Sequence, residues 1–316
     1  PRQREGANSN GVCRQMNEHS IKAVICMTAF FRPRTLYYER DVVSMKLYWK
    51  KGLALLLIAA AAAFAAGCGS SDGGSADRQE IKIGVTAGPH AEVMEEVAKE
   101  AAKQGITLKV VEFNDYVQPN TALSQKDLDM NSFQHQPYLD NVVKKQGLTL
   151  TSIGKTIILP MGIFSHKYKS LDETADGAKT AIPNDPTNGA RALLLLQQAK
   201  LIKLKDGKTV DATVQDIVEN PKHLQIVELD AAQIARSLDD MDLACVNTNY
   251  AIPAGLNPQS DALIVEDKNS PYANVIAVRT EDADNAAYRK IVEIYQSDAI
   301  KKFIEEHFRG SVLPAF

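Results

Sequence analysis

Phe133-Gln134-His135-Gln136-Pro137-Tyr138 packs two aromatic rings, an imidazole and an amide into one short stretch. The strand-like run Asp127-Leu128-Asp129-Met130-Asn131-Ser132 leads into it. Pro137 suits the opening of a helix, because proline at the first helical position gives up only an N–H that has no intrahelical acceptor. The hexamer therefore reads as a strand-to-helix corner. In open α/β sheets, ligands lie beyond the carboxyl ends of strands, at corners of this kind. His135 and Tyr138 are three apart and would share a helix face. The competing reading is a surface turn with a half-buried aromatic. A cleft enzyme with His135 as general base would need a nucleophile or a second acid–base group nearby, and none is evident.

Arg191 is the second chemical anchor. The dense turn Asn184-Asp185-Pro186-Thr187-Asn188-Gly189 precedes a helix predicted from about residue 190 to 199, which puts Arg191 in the first turn. The helix dipole disfavours a cation there. Helix N-termini attract anions through free N–H groups. An arginine at that position makes sense if both hold the same carboxylate, which a guanidinium grips bidentately. The competing reading is a solvated arginine or an ion pair with Asp185.

Other chemistry finds little support. There is no G-x-S-x-G, P-loop, G-x-G-x-x-G or H-E-x-x-H pattern, so neither a catalytic residue nor a cofactor is assigned. The histidines are scattered; His90, His135 and a carboxylate from elsewhere could form a metal site if both line one cleft. Cys13, Cys26, Cys68 and Cys245 have the spacing of neither a zinc site nor a disulfide framework. Cys245 lies in the apolar run Leu243-Ala244-Cys245-Val246 and reads as a buried, inert thiol. The net charge of −3, with no basic cluster, argues against a nucleic-acid partner.

The elements that must position these residues follow an α/β pattern. Ile81-Lys82-Ile83-Gly84-Val85 alternates and is β-branched, a strand signal. After the turn Thr86-Ala87-Gly88-Pro89-His90, a helix over 91–103 carries Val93, Met94, Val97, Ala98, Ala101 and Ala102 as a stripe. Leu108-Lys109-Val110-Val111-Glu112-Phe113 is the next strand, which implies a parallel pair joined by a crossover. A long apolar strand from 156 to 165, broken by Pro160 and Gly162, suits a passage between lobes. Further strands are predicted at 179–183, 224–229, 242–246 and near 262–266, with Asp230 as the cap of a helix. Residues 203–215 read as a hairpin or surface loop. A long strand over 272–279 leads back, and two helices striped by Tyr288, Ile291, Val292 and Tyr295, then Ala299, Ile300, Phe303 and Ile304, finish the chain. Ser124–Met130 and Ser237–Leu243 echo one another; in that register Gln134 matches Asn247 and His135 matches Thr248, as two similar lobes facing a cleft would produce. With 316 residues, 45% hydrophobic and 24% charged, the chain has the composition of a soluble globular protein and the size for two lobes.

The N-terminal part has its own logic. Residues 1–44 show no sustained periodicity, and translation is expected to start at Met45. Met45-Lys46-Leu47-Tyr48-Trp49-Lys50-Lys51 is a positive segment ahead of the apolar run 53–66. That run falls short of the roughly 20 residues a spanning helix needs and fits a secretory signal peptide over 45–67. Ala65-Ala66-Gly67-Cys68 resembles a bacterial lipobox, which implies lipidation of Cys68. The glycine- and serine-rich stretch over 68–79 reads as a flexible tether.

Several stretches taken in order carry a resemblance. They are Ile83-Gly84-Val85-Thr86-Ala87-Gly88-Pro89-His90, Asn131-Ser132 with the hexamer and Leu139, Pro183 through Leu193, Val246-Asn247-Thr248-Asn249-Tyr250-Ala251, and Ser270-Pro271-Tyr272-Ala273-Asn274-Val275. From Glu80 to Phe316 the chain resembles the MetQ/NlpA family of methionine-binding lipoproteins, the substrate-binding components of ABC importers. The resemblance implies an α/β, two-lobed periplasmic-binding-protein fold (type II-like) with the ligand in the inter-lobe cleft. Lobe 1 would comprise 80–160 plus 263–316, and lobe 2 161–262. Carried over, Tyr116, Phe133 and Tyr138 form an aromatic wall for a thioether, with His135 beside it. Arg191 clamps the carboxylate, and Asn247 and Asn274 bond the amino-acid backbone groups. No carboxylate is evident for the ligand's ammonium. The implied partners are L-methionine or a close analogue (D-methionine, a methionyl dipeptide or another apolar amino acid), an ABC permease with its ATPase subunits, and a membrane held through the N-terminal lipid on its extracytoplasmic side.

Overall fold

The computed structural model describes residues 80–267 and 270–316. The expectations for translation from Met45, the signal peptide, Cys68 and the tether lie outside the described residues. Lobe 1 opens with β1 (Glu80–Thr86), α1 (Pro89–Lys103), β2 (Thr107–Phe113), α2 (Gln118–Ser124), β3 (Met130–His135), α3 (Gln136–Gln146) and β4 (Leu150–Lys155). The short β5 (Ile157–Ile158) lies on the way to lobe 2. That lobe holds β6 (Gly162–Phe164), β7 (Lys179–Pro183), α4 (Pro186–Gln198), β8 (Lys203–Leu204), β9 (Ile217–Glu219), β10 (Gln225–Leu229), α5 (Ala231–Ile234), β11 (Leu243–Val246), α6 (Thr248–Ala251) and β12 (Ala262–Val265). The chain then returns as β13 (Asn274–Arg279), α7 (Ala286–Tyr295), α8 (Asp298–Phe308) and β14 (Leu313–Pro314).

Two five-stranded sheets result, ordered β2-β1-β3-β13-β4 and β10-β7-β11-β6-β12. In the first, β1 is parallel to β2 and β3, while β13 is antiparallel to β3 and β4. In the second, β7 is parallel to β10 and β11, and β6 runs antiparallel to β11 and β12. The second sheet therefore extends through Val265. The return to lobe 1 expected at residue 263 falls inside β12, because the apolar run 262–265 pairs with β6 before the chain leaves. β14 pairs with β5, so the C-terminus ties down the first crossing.

Each sheet is buried by its helices. In lobe 1, Val93, Met94, Val97 and Ala101 of α1 pack with Ile83, Val85, Ile276 and Ile291. Ala102 and Ala299, both read as part of apolar stripes, are exposed. In lobe 2, Leu193 and Leu196 of α4 pack with Ile163, Ile182, Leu243 and Cys245. Burial pushes the Cys245 thiol up to about 12, which keeps it protonated and unreactive. Gly88 caps α1 at φ 81°, where a side chain would be strained, and a Cβ there would meet Pro253 of lobe 2 at 2.7 Å.

Two element boundaries bear on the site. β3 is shifted along the chain from the expected run and includes Phe133, Gln134 and His135. Helix α4 begins at Pro186, four residues before the expected start, because Asp185 accepts the Asn188 N–H at 2.9 Å as its N-cap. Arg191 therefore lies in the second turn, beyond the free N–H groups.

Candidate functional site

The site forms where the two sheets present strand ends to each other. In lobe 1, His90 follows β1, Tyr116 follows β2, and Phe133 through Tyr138 span the end of β3 and the start of α3. β13 runs antiparallel to β3 with Asn274 opposite His135, so the beginning of the returning strand reaches the same edge. In lobe 2, Asn188 and Arg191 lie on the helix after β7, and Asn247 and Asn249 follow β11. These residues, apart from Gln136 and Pro137, line one cavity together with Leu159.

All seven residues singled out from the sequence reach this cavity: Tyr116, Phe133, His135, Tyr138, Arg191, Asn247 and Asn274. Tyr116, Phe133 and Tyr138 stand with ring centroids 6.0 Å apart in each pair. The Tyr138 hydroxyl donates to the Tyr116 carbonyl at 2.9 Å, which fixes the corner between two of those rings. Thr248, the counterpart of His135 in the internal echo, is instead buried and donates to the Pro160 carbonyl.

His135 is spoken for on both nitrogens. Its Nδ1 accepts the Tyr138 N–H at 3.1 Å as the N-cap of α3, and its Nε2–H donates to Asn188 Oδ1 across the cleft at 3.3 Å. Burial first, then the Arg191 charge, lowers its pKa to about 3. The ring is a neutral donor with no lone pair to spare, which removes the basis for a general base. His90 repeats the pattern: Nδ1 accepts the Thr86 hydroxyl at 2.7 Å and Nε2–H donates to Asn274 Oδ1 at 3.2 Å. Burial lowers its pKa to about 4. Among the described residues, no group of three His, Cys, Asp or Glu side chains could hold a metal ion.

A chain of amides sets the polar side. Both Asp185 carboxylate oxygens accept from Asn188 Nδ2, at 2.9 and 3.1 Å, in addition to the Asn188 N–H and the Thr187 hydroxyl. That orientation turns Asn188 Oδ1 toward Asn247, whose Nδ2 donates to it at 2.8 Å. Among the described residues, Asn247 Oδ1 is then left buried and without a partner, as is Asn249 Nδ2. A buried, unpaired acceptor costs about 1–3 kcal/mol until a donor meets it. Asn249 Oδ1 accepts the Tyr116 hydroxyl from the opposite lobe at 2.6 Å.

Arg191 does not pair with Asp185. Its Nε meets both Glu266 oxygens at 3.0 and 3.1 Å, and its Nη2 donates to Glu266 and, at 2.8 Å, to the Leu159 carbonyl. The guanidinium lies over the Tyr272 ring, 4.5 Å from its carbon to the ring centroid. Among the described residues no partner is seen for Nη1. Asn188, Asn249 and His90 lie in stretches already quoted for other reasons, yet their amide and imidazole roles were not read from sequence. Glu266 ends a predicted strand and Tyr272 lies in one of the resembling stretches, but nothing in the sequence ties either to Arg191, which is distant in the chain.

The two α/β lobes, closed over a polar-and-aromatic cavity at their strand ends, define a two-lobed periplasmic-binding-protein fold. The pattern of the family described as NlpA lipoprotein matches residues 81–316, and the chain belongs to that family. It is 50% identical over 253 residues to the D-methionine-binding lipoprotein MetQ of Salmonella typhi, covering 78% of this chain and 92% of that protein. A nutrient-binding protein from Burkholderia cenocepacia, solved bound to methionine, superposes with a TM-score of 0.72 at 54% identity, over 75% of this chain and all of that one. The crystal structure of the methionine-binding protein MetQ gives a TM-score of 0.73 at 48% identity, over 75% of this chain and 98% of that one. Among the described residues no helix is long and apolar enough to cross a membrane.

Proposed function

We propose that this chain captures methionine in the inter-lobe cavity and delivers it to the permease of an ABC importer, without chemical turnover. The observation that carries the reading is the pairing, in one small cavity, of an aromatic wall with a guanidinium and an unpartnered amide oxygen. Thioether sulfur makes favourable contacts with rings, each worth about 0.3–1.5 kcal/mol. Arg191 Nη1 and Asn249 Nδ2 are donors for the α-carboxylate. Asn247 Oδ1 is an acceptor for the ammonium, the role for which the sequence offered no carboxylate. Asn274, expected to bond the amino-acid backbone groups, is already engaged within the protein at both ends of its amide: Oδ1 accepts from His90 and Nδ2 donates to the Tyr272 carbonyl at 3.4 Å. An acyl or acid–base reaction lacks a base, because both imidazoles already accept a hydrogen bond at Nδ1.

The relatives' name favours a second ligand of the same class, D-methionine. Lipidation at Cys68 would hold the domain on the extracytoplasmic side of a membrane, within reach of a permease and its ATPase subunits. The lobes are read as 80–160 plus 266–316 and 161–265, a boundary drawn from the strand pairing. Calorimetry with L-methionine, D-methionine and alanine, on the wild type and Tyr138→Ala, tests the reading. Methionine should bind far more tightly than alanine, and Tyr138→Ala should weaken methionine more than alanine. Equal losses for the two would remove the aromatic wall from the site, and no binding of either methionine isomer would reject the function.

A further inference from the structure

The cavity lining contains one formally charged side chain, Arg191. Its two histidines are neutral by their hydrogen bonds, each accepting at Nδ1 and donating at Nε2. Arg191 is itself balanced from behind by Glu266, which does not line the cavity. Glu266 is held in place: its N–H donates to the Met161 carbonyl at 2.9 Å, and its carboxylate accepts the Met161 N–H at 3.3 Å. The side chains of Arg191 and Glu266 are 3% and 12% exposed, so solvent screens the pair little. The Arg191 charge is therefore cancelled before a ligand enters, and the other carboxylate bonded to a lining residue, Asp185 on Asn188, is only half-buried.

We propose that Glu266 fixes the net charge of the ligand: by neutralising Arg191 from outside the cavity, it selects a zwitterionic amino acid over an anion of the same shape that lacks the ammonium. The inference rests on the reading that the cavity takes a methionine-like amino acid. A zwitterion adds no net charge to the buried site, whereas an anion leaves one negative charge uncompensated, and an unpaired buried charge is costly. Without Glu266 the balance reverses. The bare guanidinium then suits the anion, and a zwitterion leaves a net positive charge.

The test compares methionine with 4-(methylthio)butanoate, which keeps the thioether chain and carboxylate but has no ammonium. Calorimetry gives the ratio of the two dissociation constants for the wild type, Glu266→Gln, Glu266→Ala and the charge-retaining Glu266→Asp, with circular dichroism confirming that each is folded. Both charge-removing variants should shift the ratio toward the anion by tenfold or more, and Glu266→Asp by less than threefold. An unchanged ratio in the Gln and Ala variants overturns the proposal, as does an Asp variant that shifts as much as they do. So does a wild type that binds the anion within threefold of methionine, a result independent of whether any variant folds. Leucine and 4-methylpentanoate form a second pair with a different side chain. If the wild type binds neither methionine nor leucine, the amino-acid reading fails and the inference with it; binding with an unchanged ratio in the variants rejects the inference alone.

Discussion

Arg191 is buried, and among the described residues its side chain bonds to or lies over the segments that join the lobes: the Leu159 carbonyl on one crossing, Glu266 and the Tyr272 ring on the other. Arg191→Ala would leave Glu266 buried without its counter-charge as well as remove the ligand's donor. The first effect lowers stability; the second leaves the ligand carboxylate buried without its cation, and truncating one member of such a pair costs about 2–5 kcal/mol, so methionine affinity should fall by more than tenfold in calorimetry; a loss under threefold would exclude Arg191 from carboxylate recognition. The histidines give a second prediction. Folding holds the pKa of His90 at about 4 and of His135 at about 3, below the ordinary imidazole value. Below about pH 6.5 the unfolded chain takes up protons that the folded one refuses, so stability is complete above that pH and declines as pH falls toward 4. The slope approaches about 1.4 kcal/mol per pH unit for each histidine. Denaturant unfolding of the wild type between pH 7 and 4.5 should show this decline, and His90→Gln with His135→Asn should flatten it. A flat wild-type profile would contradict the neutral assignment. At this scale the hexamer and Arg191 were legible because aromatic, imidazole and guanidinium groups are conspicuous at a corner. Asn188, Glu266 and the direction of Asn247 Oδ1 were not, since each is set by a hydrogen bond to a residue far along the chain.

Among the elements, β3 supplies more of the cavity lining, but α4 supplies its one charged side chain, and the first turn of α4 does two jobs. Pro186 follows the cap with φ already suited to a helix. Asp185 accepts the Asn188 N–H and also orients the Asn188 side chain. Asp185→Ala should cost about 0.5–2 kcal/mol of stability as a lost N-cap, and should also weaken ligand binding, because Asn188 is then free to turn and Asn247 Oδ1 loses its direction. Urea unfolding and calorimetry on the same variant check both effects; a stability loss with unchanged affinity would show that the amide chain does not orient the site. The expected start of this helix near residue 190 came from treating Pro186 through Gly189 as turn residues. The sequence Asp-Pro followed by a small polar run is equally an N-cap and first turn, and that reading places Arg191 correctly. Strand order had a similar limit. The alternation at 81–85 and the apolar runs at 179–183 and 242–246 identify strands, but only pairing shows that β12 stays with lobe 2 and that β13 inserts between β3 and β4.

At the scale of the molecule, the lobes meet through polar contacts around the cavity, while away from it Ile252 packs on the lobe 1 core, Gln259 donates to the Gly310 carbonyl and Ser311 donates to Asn257. Tyr116 of lobe 1 donates to Asn249 of lobe 2 at 2.6 Å, and its ring lies 5.0 Å from that of Tyr250. His135 donates to Asn188, and the Tyr250 hydroxyl reaches the Asn114 carbonyl at 3.5 Å. Broad apolar burial would hold the lobes shut regardless of ligand. A few hydrogen bonds, each worth about 0.5–1.5 kcal/mol net, instead leave the closed arrangement within reach of ligand control, as hinge closure requires. The two-lobe plan was legible in the break at Pro160 and Gly162 and in the late return of an apolar strand; the closing contacts were not, because each joins residues from different lobes. Tyr116→Phe removes one closing bond and leaves Asn249 Oδ1 without its donor while keeping the aromatic wall. Its ligand-bound form should therefore release methionine several-fold faster in stopped-flow measurements, and it should compact less on ligand addition in small-angle scattering. If the variant closes and releases ligand like the wild type, the Tyr116–Asn249 contact is a consequence of closure and contributes nothing to holding it.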